Sequence, residues 1–254
     1  MSLTLQNIQT LKDKEMEQKF QEILNSLKKT TRKNTEGTFC RWKITKTILV
    51  RNHMNQLVEE TNPRYDFVKD YLSEFYRIEV QSRYKKLYPI DQNKLDKIVN
   101  FMTNESGQCG LLMHGTPGNG KTTWLRAIEN TIKQLYYEEI KQKRMKLYSL
   151  KASELGKIMK DDKDDYKVIK NSAVLLLDDI GFSGDAEMVN DYGIKTNPII
   201  DIIEHRYDMQ LFTVLTTNLN EQQLFNIYGQ RVHSRLNEMC VWLDFKEKDF
   251  RLQN

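Results

Sequence analysis

The sequence predicts an α/β fold, a three-layer domain on a parallel sheet, preceded by a mainly helical N-terminal region. Short apolar runs alternate with amphipathic segments from residue 110 onward, a pattern typical of parallel strands flanked by helices. Residues 174–177 are four consecutive aliphatic residues, as expected of a strand buried on both faces. Before that point, residues 64–77 and 91–102 place apolar side chains at helical spacing.

Composition excludes several classes of protein. Hydrophobic residues make up 39% of the chain and charged residues 29%, which is typical of a globular, soluble protein. No apolar run approaches the roughly 20 residues of a membrane helix, and the start of the chain lacks a secretory signal pattern. Cys40, Cys109 and Cys240 are scattered, which argues against a zinc site or a disulfide framework. We therefore expect a cytoplasmic protein with no membrane partner.

Residues 1–88 are predicted to form a mainly helical partner-binding region. Residues 1–29 have the apolar spacing of an amphipathic helix. This pattern fits equally a helix that packs on its own domain and a helix that docks another protein. Residues 28–51 are the most basic window, in which a solvated face is favoured over a surface for single-stranded nucleic acid. Within residues 38–58, the β-branched run Ile44–Val50 fits a strand as well as a helix.

Residues 89–254 are predicted to form the second domain. Its expected strands are residues 111–114, 146–150, 173–177 and 211–216, and its expected helices are residues 123–143, 153–159, 198–207 and 221–228. Since the carboxyl ends of parallel strands meet at one edge of a sheet, we expect a ligand site at that edge.

A glycine-rich turn follows the first of these strands. Residues 115–122 read G-T-P-G-N-G-K-T and fit the phosphate-binding loop template at every fixed position. The amides of such a loop form a nest for phosphate oxygens, aided by the positive end of the following helix. Lys121 is expected to reach the β- and γ-phosphates, and Thr122 to offer its hydroxyl to Mg²⁺. The expected nucleotide-binding residues are Gly115, Thr116, Pro117, Gly118, Asn119, Gly120, Lys121, Thr122 and Thr123.

Two later strands end in polar residues. Asp178 and Asp179 follow the aliphatic run; we expect Asp178 to hold Mg²⁺, directly or through water, and Asp179 to orient an attacking water. Asn218 ends the run 211–217 and is a candidate to hydrogen-bond the γ-phosphate or that water. Taken alone, each of these strand ends would indicate only a solvated turn. The phosphate-binding loop upstream favours interpreting them as parts of a nucleotide site.

Residues 229–236 read G-Q-R-V-H-S-R-L and carry two arginines on one helical face. Arg231 or Arg235 could reach a γ-phosphate held by a neighbouring subunit, as an arginine finger does. The alternative is a helix whose arginines form local salt bridges.

These four motifs, in this order, resemble the AAA+ ATPases, and within them the DnaC/IstB-like branch of helicase loaders and transposition helpers. The resemblance covers about residues 107–245 and includes the strand and helix of residues 146–159. It implies an AAA+ P-loop domain that binds and hydrolyses Mg-ATP. In that comparison Lys121, Asp178 and Asp179 are catalytic, Asn218 is sensor 1, and Arg235 acts in trans with Arg231 as its helper.

The chain departs from many AAA+ proteins in two places. Asp179 stands where many have glutamate, so we expect hydrolysis that is slow or dependent on a partner. Only 19 residues (254 − 235) follow Arg235, too few for a C-terminal helical lid. We therefore expect no lid, as is typical of the loader and helper branch.

The resemblance implies an ATP-dependent replication protein of the DnaC type. Its N-terminal region would dock a replicative helicase of the DnaB type, and its ATP-bound homo-oligomer would help place that helicase on single-stranded DNA. Two alternatives remain open. One is an IstB-type transposition helper that acts on duplex DNA, and the other is a nucleotide-switched adaptor with negligible hydrolysis, which Asp179 suggests.

Overall fold

The computed structural model describes residues 49–51, 57–59, 63–84, 89–104, 107–181, 188–191 and 194–246. The predicted helix of residues 1–29 and most of the basic window lie outside these ranges. Where the structure describes the uncertain segment, it is extended: β1 (Leu49–Arg51) pairs antiparallel with β2 (Leu57–Glu59). The strand interpretation therefore holds for the end of the run Ile44–Val50.

Two helices precede the central sheet. Helix α1 (Pro63–Tyr84) is longer than the predicted 64–77, because buried Val80 continues its apolar face. Helix α2 (Gln92–Thr103) begins after Asp91, whose carboxylate caps the helix by accepting a hydrogen bond from the backbone N–H of Lys94.

Five parallel strands form the central sheet. They are β3 (Gly110–Gly115), β4 (Leu147–Lys151), β5 (Val174–Ile180), β8 (Phe212–Thr217) and β9 (Cys240–Phe245), in the spatial order β4-β5-β8-β3-β9. A separate antiparallel pair joins β6 (Val189–Asp191) to β7 (Ile194–Thr196). Successive side chains of β5 and β8 are buried, so helices cover both faces of the sheet. The predicted three-layer α/β fold is confirmed.

The helices that connect the strands follow the predicted order with shifted bounds. They are α3 (Lys121–Leu135), α4 (Tyr137–Lys141), α5 (Ala152–Asp161), α6 (Lys163–Lys170), α7 (Pro198–Asp208) and α8 (Glu221–Met239). The single helix predicted over 123–143 is wrong, because the chain leaves the helix at Tyr136 and re-enters it one residue later. The helix predicted over 221–228 continues to Met239, with a kink at Gly229.

Helix α1 packs on the first helix of the sheet domain. The rings of Tyr76 and Trp124 stack with centroids 4.1 Å apart, and the apolar face of α1 belongs to the same buried cluster as the central strands. The helix before the predicted boundary near residue 88 thus shares a core with the residues after it, and the division into two domains stays a prediction.

Within the described residues, every helix is too short or too polar to cross a lipid bilayer.

Candidate functional site

The glycine-rich loop joins the end of β3 to the start of α3 and lies against the last residue of β9. Gly115 has φ +136°, and a Cβ at this position would lie 2.1 Å from the carbonyl oxygen of Phe245. The side-chain amide of Asn119 donates to that same carbonyl and to Thr116 Oγ1. Only glycine fits position 115, since it has no Cβ and tolerates positive φ. The end of β9 therefore fixes the shape of the loop.

Lys121 places its ammonium group at the centre of this loop. Nζ donates to the carbonyl oxygens of Gly115 and Thr116 over 2.8 and 2.7 Å, and to Asn119 Oδ1 over 3.0 Å. The residue is only 6% exposed. A buried cation held by loop carbonyls, at the N-terminus of a 15-residue helix, provides a site for anionic oxygens.

Thr122 and Asp178 face each other across the carboxyl edge of the sheet. Oγ1 of Thr122 lies 3.1 Å from both carboxylate oxygens of Asp178, although 56 residues separate them. A hydroxyl and a carboxylate are hard oxygen donors of the kind that Mg²⁺ prefers. The residues predicted to hold the metal thus fit that ion in chemistry and in mutual position.

Asp179 has an unusual backbone and a defined side-chain partner. Its φ of +65° lies in the left-handed region, where residues other than glycine are uncommon. Its backbone N–H donates to Thr216 Oγ1 over 2.8 Å, and its Oδ1 accepts from Asn218 Nδ2 over 2.7 Å. The predicted water-orienting aspartate and the predicted sensor asparagine are therefore in direct contact.

The electrostatic surroundings raise the pKa of the Asp179 carboxyl. Burial is the largest cause, followed by the negative charge of Asp178. The charges of Lys121 and Lys151 and the hydrogen bond from Asn218 act in the opposite direction. A half-buried carboxyl with a perturbed pKa is typical of functional sites.

The two arginines of α8 lie apart from this group and contact helix α7. Arg231 Nε lies 2.8 Å from Glu204 Oε1, and the Arg231 side chain is 72% exposed. Arg235 pairs through Nη1 with the same oxygen at 3.3 Å and through Nη2 with Asp208 at 3.4 Å, and its side chain is 15% exposed. The guanidinium of Arg235 also lies over the ring of Tyr207, 5.0 Å from the centroid.

A polar groove of about 410 Å³ opens beside Thr122 and Asp178. Helices α1, α3 and α5 and the end of β4 enclose it. Its charged lining residues are Glu79, Arg126, Glu129, Lys151, Glu154 and Asp178. The groove gives the edge of the sheet a solvent-accessible approach next to Thr122 and Asp178.

Sequence reasoning missed three contributors to this site. Thr216 contacts both aspartates, Phe245 closes on the loop, and Glu204 holds both arginines. The sequence Thr216-Thr217 before Asn218 could have indicated the first of these contacts. Hydroxyl side chains at the end of one strand can form hydrogen bonds with acidic residues at the end of a neighbouring strand. Phe245 and Glu204 act through tertiary contacts that no local pattern indicates.

Comparison with known proteins gives one family match and several structural similarities. Residues 111–228 match the model of the family described as ATPase family associated with various cellular activities (AAA). No curated protein matches this chain.

Among solved structures, the chain is similar to the DnaC helicase loader, with 27% identity over 63% of this chain and 93% of that one and a TM-score of 0.45. It is similar to DnaI, with 21% identity over 64% and 87% of the two chains and a TM-score of 0.46. The AMPPCP-bound DnaA from Aquifex aeolicus is 17% identical over 79% and 52% of the two chains, with a TM-score of 0.41.

Proposed function

Because residues 111–228 of this chain match the AAA ATPase family model, we propose that the protein binds Mg-ATP and hydrolyses it at the carboxyl edge of its sheet. The observation that carries this proposal is the approach of Thr122 Oγ1 to the Asp178 carboxylate, beside the loop that holds Lys121. Two chain segments, the loop with the start of α3 and the end of β5, thus bring a phosphate nest, a cation and a pair of candidate metal-ligand oxygens to one edge.

Each residue has a role that follows from its position. The loop amides and Lys121 would bind and orient the β- and γ-phosphates, and Thr122 with Asp178 would hold the metal. Bound Mg²⁺ would neutralise charge that develops on the phosphate oxygens. Asp179 orients the attacking water and accepts its proton, which requires that its carboxyl be ionised. Asn218 holds Asp179 in place through Oδ1.

A binding and turnover assay tests this proposal. We expect the wild type to bind and hydrolyse ATP in the presence of Mg²⁺, and Lys121→Ala to lose binding. Lys133→Ala is the matched control, because Lys133 lies on the same helix α3 but is exposed and pairs only locally with Glu129. Wild-type protein that fails to bind ATP would overturn the proposal.

The finer proposal is that this ATPase is a helicase loader of the DnaC type. Its support is the set of four motifs, G-T-P-G-N-G-K-T, L-L-L-D-D-I-G, L-T-T-N-L and G-Q-R-V-H-S-R-L, which resemble that branch of AAA+ proteins. The proposed partners are a replicative helicase of the DnaB type, single-stranded DNA and further copies of the same chain. The full chain is the appropriate bait, because helix α1 shares the core of the ATPase domain.

Copurification and stimulation test the partner. A loader is expected to copurify with a DnaB-type helicase and to hydrolyse ATP faster when the helicase and single-stranded DNA are both present. Stimulation by duplex DNA alone would favour the transposition helper instead. Absence of any complex with a replicative helicase would contradict the loader assignment but leave the ATPase proposal intact.

A second candidate is a nucleotide-switched adaptor with negligible turnover. The contact between Asn218 and Asp179 favours it, because Asp179 is the shorter acidic residue and is held both by its left-handed backbone and by this hydrogen bond. The adaptor predicts ATP binding by the wild type with equal, near-zero turnover in the wild type and in Lys121→Ala. The ATPase predicts turnover that only the wild type supports.

A further inference from the structure

Strand β5 changes register at its carboxyl end. Leu177 pairs with Leu215 and Ile180 pairs with Thr217, so the two residues 178 and 179 lie opposite the single residue Thr216. Such an extra residue is a β-bulge, which is over-represented next to active sites and re-aims side chains. Asp178 and Asp179, the two residues of the bulge, are the acidic residues of the proposed ATPase site.

In a regular strand, two consecutive side chains point to opposite faces of the sheet. Here the positive φ of Asp179 breaks that alternation. Asp178 reaches Thr122 while Asp179 reaches Asn218, so both carboxylates serve the same edge. The bulge is therefore what allows adjacent residues to contribute two carboxylates to one site.

The hydroxyl of Thr216 bonds to both residues of the bulge. Oγ1 accepts from the backbone N–H of Asp179 over 2.8 Å and donates to Asp178 Oδ1 over 2.6 Å. Thr216 is 2% exposed, so a lost hydrogen bond here is not replaced by bulk water. One buried hydroxyl thus ties the backbone of one aspartate to the carboxylate of the other.

We propose that Thr216 is a positioning residue that orients Asp178 for the metal by closing the β-bulge. This inference rests on the proposed Mg-ATP site and adds a residue to it. Thr216 acts through Asp178, in the way that hydrogen-bond partners orient metal-ligating carboxylates. Mutation of such a partner typically costs about 10- to 100-fold in metal affinity or activity.

Thr217 provides a matched comparison on the same strand. It is also fully buried, and its Oγ1 donates to the carbonyl oxygen of Ile180 over 2.8 Å and accepts from the N–H of Leu219 over 3.1 Å. Both bonds are to backbone groups, and neither involves an aspartate. The same threonine-to-valine change at 216 and 217 therefore separates loss of a buried hydroxyl from loss of the contact with Asp178.

The experiment measures Mn²⁺ affinity of the AMPPCP-loaded full chain by electron paramagnetic resonance, with AMPPCP affinity without metal measured in parallel. We expect Thr216→Val to weaken Mn²⁺ binding about tenfold or more and to leave metal-free AMPPCP binding unchanged. Thr216→Ser, which keeps the hydroxyl, and Thr217→Val should stay within about threefold of the wild type. If Thr216→Val does not fold, Thr216→Ala removes the same hydroxyl without a demand for space.

The outcomes separate this inference from the function on which it rests. Equal Mn²⁺ affinities in the Thr216 and Thr217 valine variants, or an equal loss in Thr216→Ser, would overturn the positioning role while the Mg-ATP site stands. Wild-type protein that binds no AMPPCP would overturn the proposed function itself, and this inference with it.

Discussion

Asn218 donates its side-chain amide to Oδ1 of Asp179 over 2.7 Å, across the carboxyl ends of neighbouring strands β5 and β8. This bond holds a residue whose backbone already lies at φ +65°. Asp and Asn are several-fold enriched in the left-handed region, because their short side chains bond locally. The geometry gives a physical reason for aspartate rather than glutamate at this position.

Asp179→Asn and Asp179→Ala are expected to lose ATP hydrolysis equally but to differ in their free energy of unfolding. Both remove the carboxylate, so both should lose hydrolysis. Asparagine tolerates the left-handed backbone and keeps an oxygen for Asn218, so its free energy of unfolding should stay close to that of the wild type. Alanine should lose about 1–2 kcal/mol, because the left-handed conformation costs it about that much. Urea denaturation measures the difference, and equal stability of the two variants would contradict the assigned strain.

The residues proposed to bind phosphate and metal could be located from the sequence because their spacing within short motifs is itself the signal. The loop 115–122 and the strand end before Asp178 each combine a chemical residue type with a local element, and the structure brings Lys121, Thr122, Asp178 and Asn218 to one edge. The roles assigned to these residues stay predictions.

Other features depend on contacts between distant segments. The bulge at Asp178 and Asp179 exists only in the pairing of β5 with β8, and a continuous aliphatic run gives no sign of a register shift. The break at Tyr136 interrupts a pattern that remains apolar at helical spacing. Strand β9 was not predicted, because its run C-V-W-L-D-F directly follows helix α8 with no glycine or proline between them to mark where the strand begins.

The pH dependence of turnover should respond to Lys151. The positive charge of Lys151 lowers the pKa of Asp179, against the larger raising effects of burial and of Asp178. Removing it with Lys151→Ala should therefore raise the pKa of Asp179 further. Because Asp179 must be ionised to accept a proton, the acidic limb of the kcat profile should move to higher pH.

The measurement is kcat against pH at low ionic strength, since Lys151 is exposed and salt screens its charge. Lys157→Ala is the control, because Lys157 is an exposed lysine of the adjacent helix α5 that does not contribute to the pKa of Asp179. Lys151→Arg should retain the wild-type profile. A limb that stays in place or moves to lower pH in Lys151→Ala would contradict the role of Asp179 as the base.

Gly115 and Gly229 are expected to respond differently to alanine. Both have positive φ, +136° and +81°, so both variants bear a conformational cost of about 1–3 kcal/mol. A Cβ at Gly115 would also lie 2.1 Å from the Phe245 carbonyl oxygen, whereas nothing lies within 4 Å of one at Gly229. Gly115→Ala should therefore lower the free energy of unfolding by more than Gly229→Ala and also weaken ATP binding. Thermal unfolding with and without ATP gives both quantities, and similar effects at the two glycines would show that the loop does not depend on its contact with β9.

Arg235 is held within its own subunit by an incomplete set of partners. Its contact with Glu204 Oε1 at 3.3 Å is an ion pair, and within the described part of the chain its Nη1 lacks a hydrogen-bond acceptor of good geometry. An unsatisfied donor on a charged group costs free energy, but this Nη1 is buried, so a phosphate oxygen of a neighbouring copy could bond it only if the side chain moved away from helix α7. Arg231 is more exposed and shares the same Glu204 oxygen.

If Arg235 completes the site of a neighbouring copy, two inactive variants should restore activity when mixed. Arg235→Ala keeps the phosphate-binding loop but lacks the arginine, and Lys121→Ala keeps the arginine but lacks ATP binding. Each alone should lose turnover about 10³-fold or more, the scale of an arginine finger. In a mixture, Lys121→Ala subunits supply Arg235 to the intact loops of the other variant, so ATPase activity should reappear.

The control mixes Arg235→Ala with the double variant, which offers no arginine and should stay inactive. Full activity of Arg235→Ala alone would contradict this prediction, and so would a mixture no more active than the control. Either result would mean that Arg235 only links helix α8 to helix α7 of its own subunit, through Glu204 and Asp208.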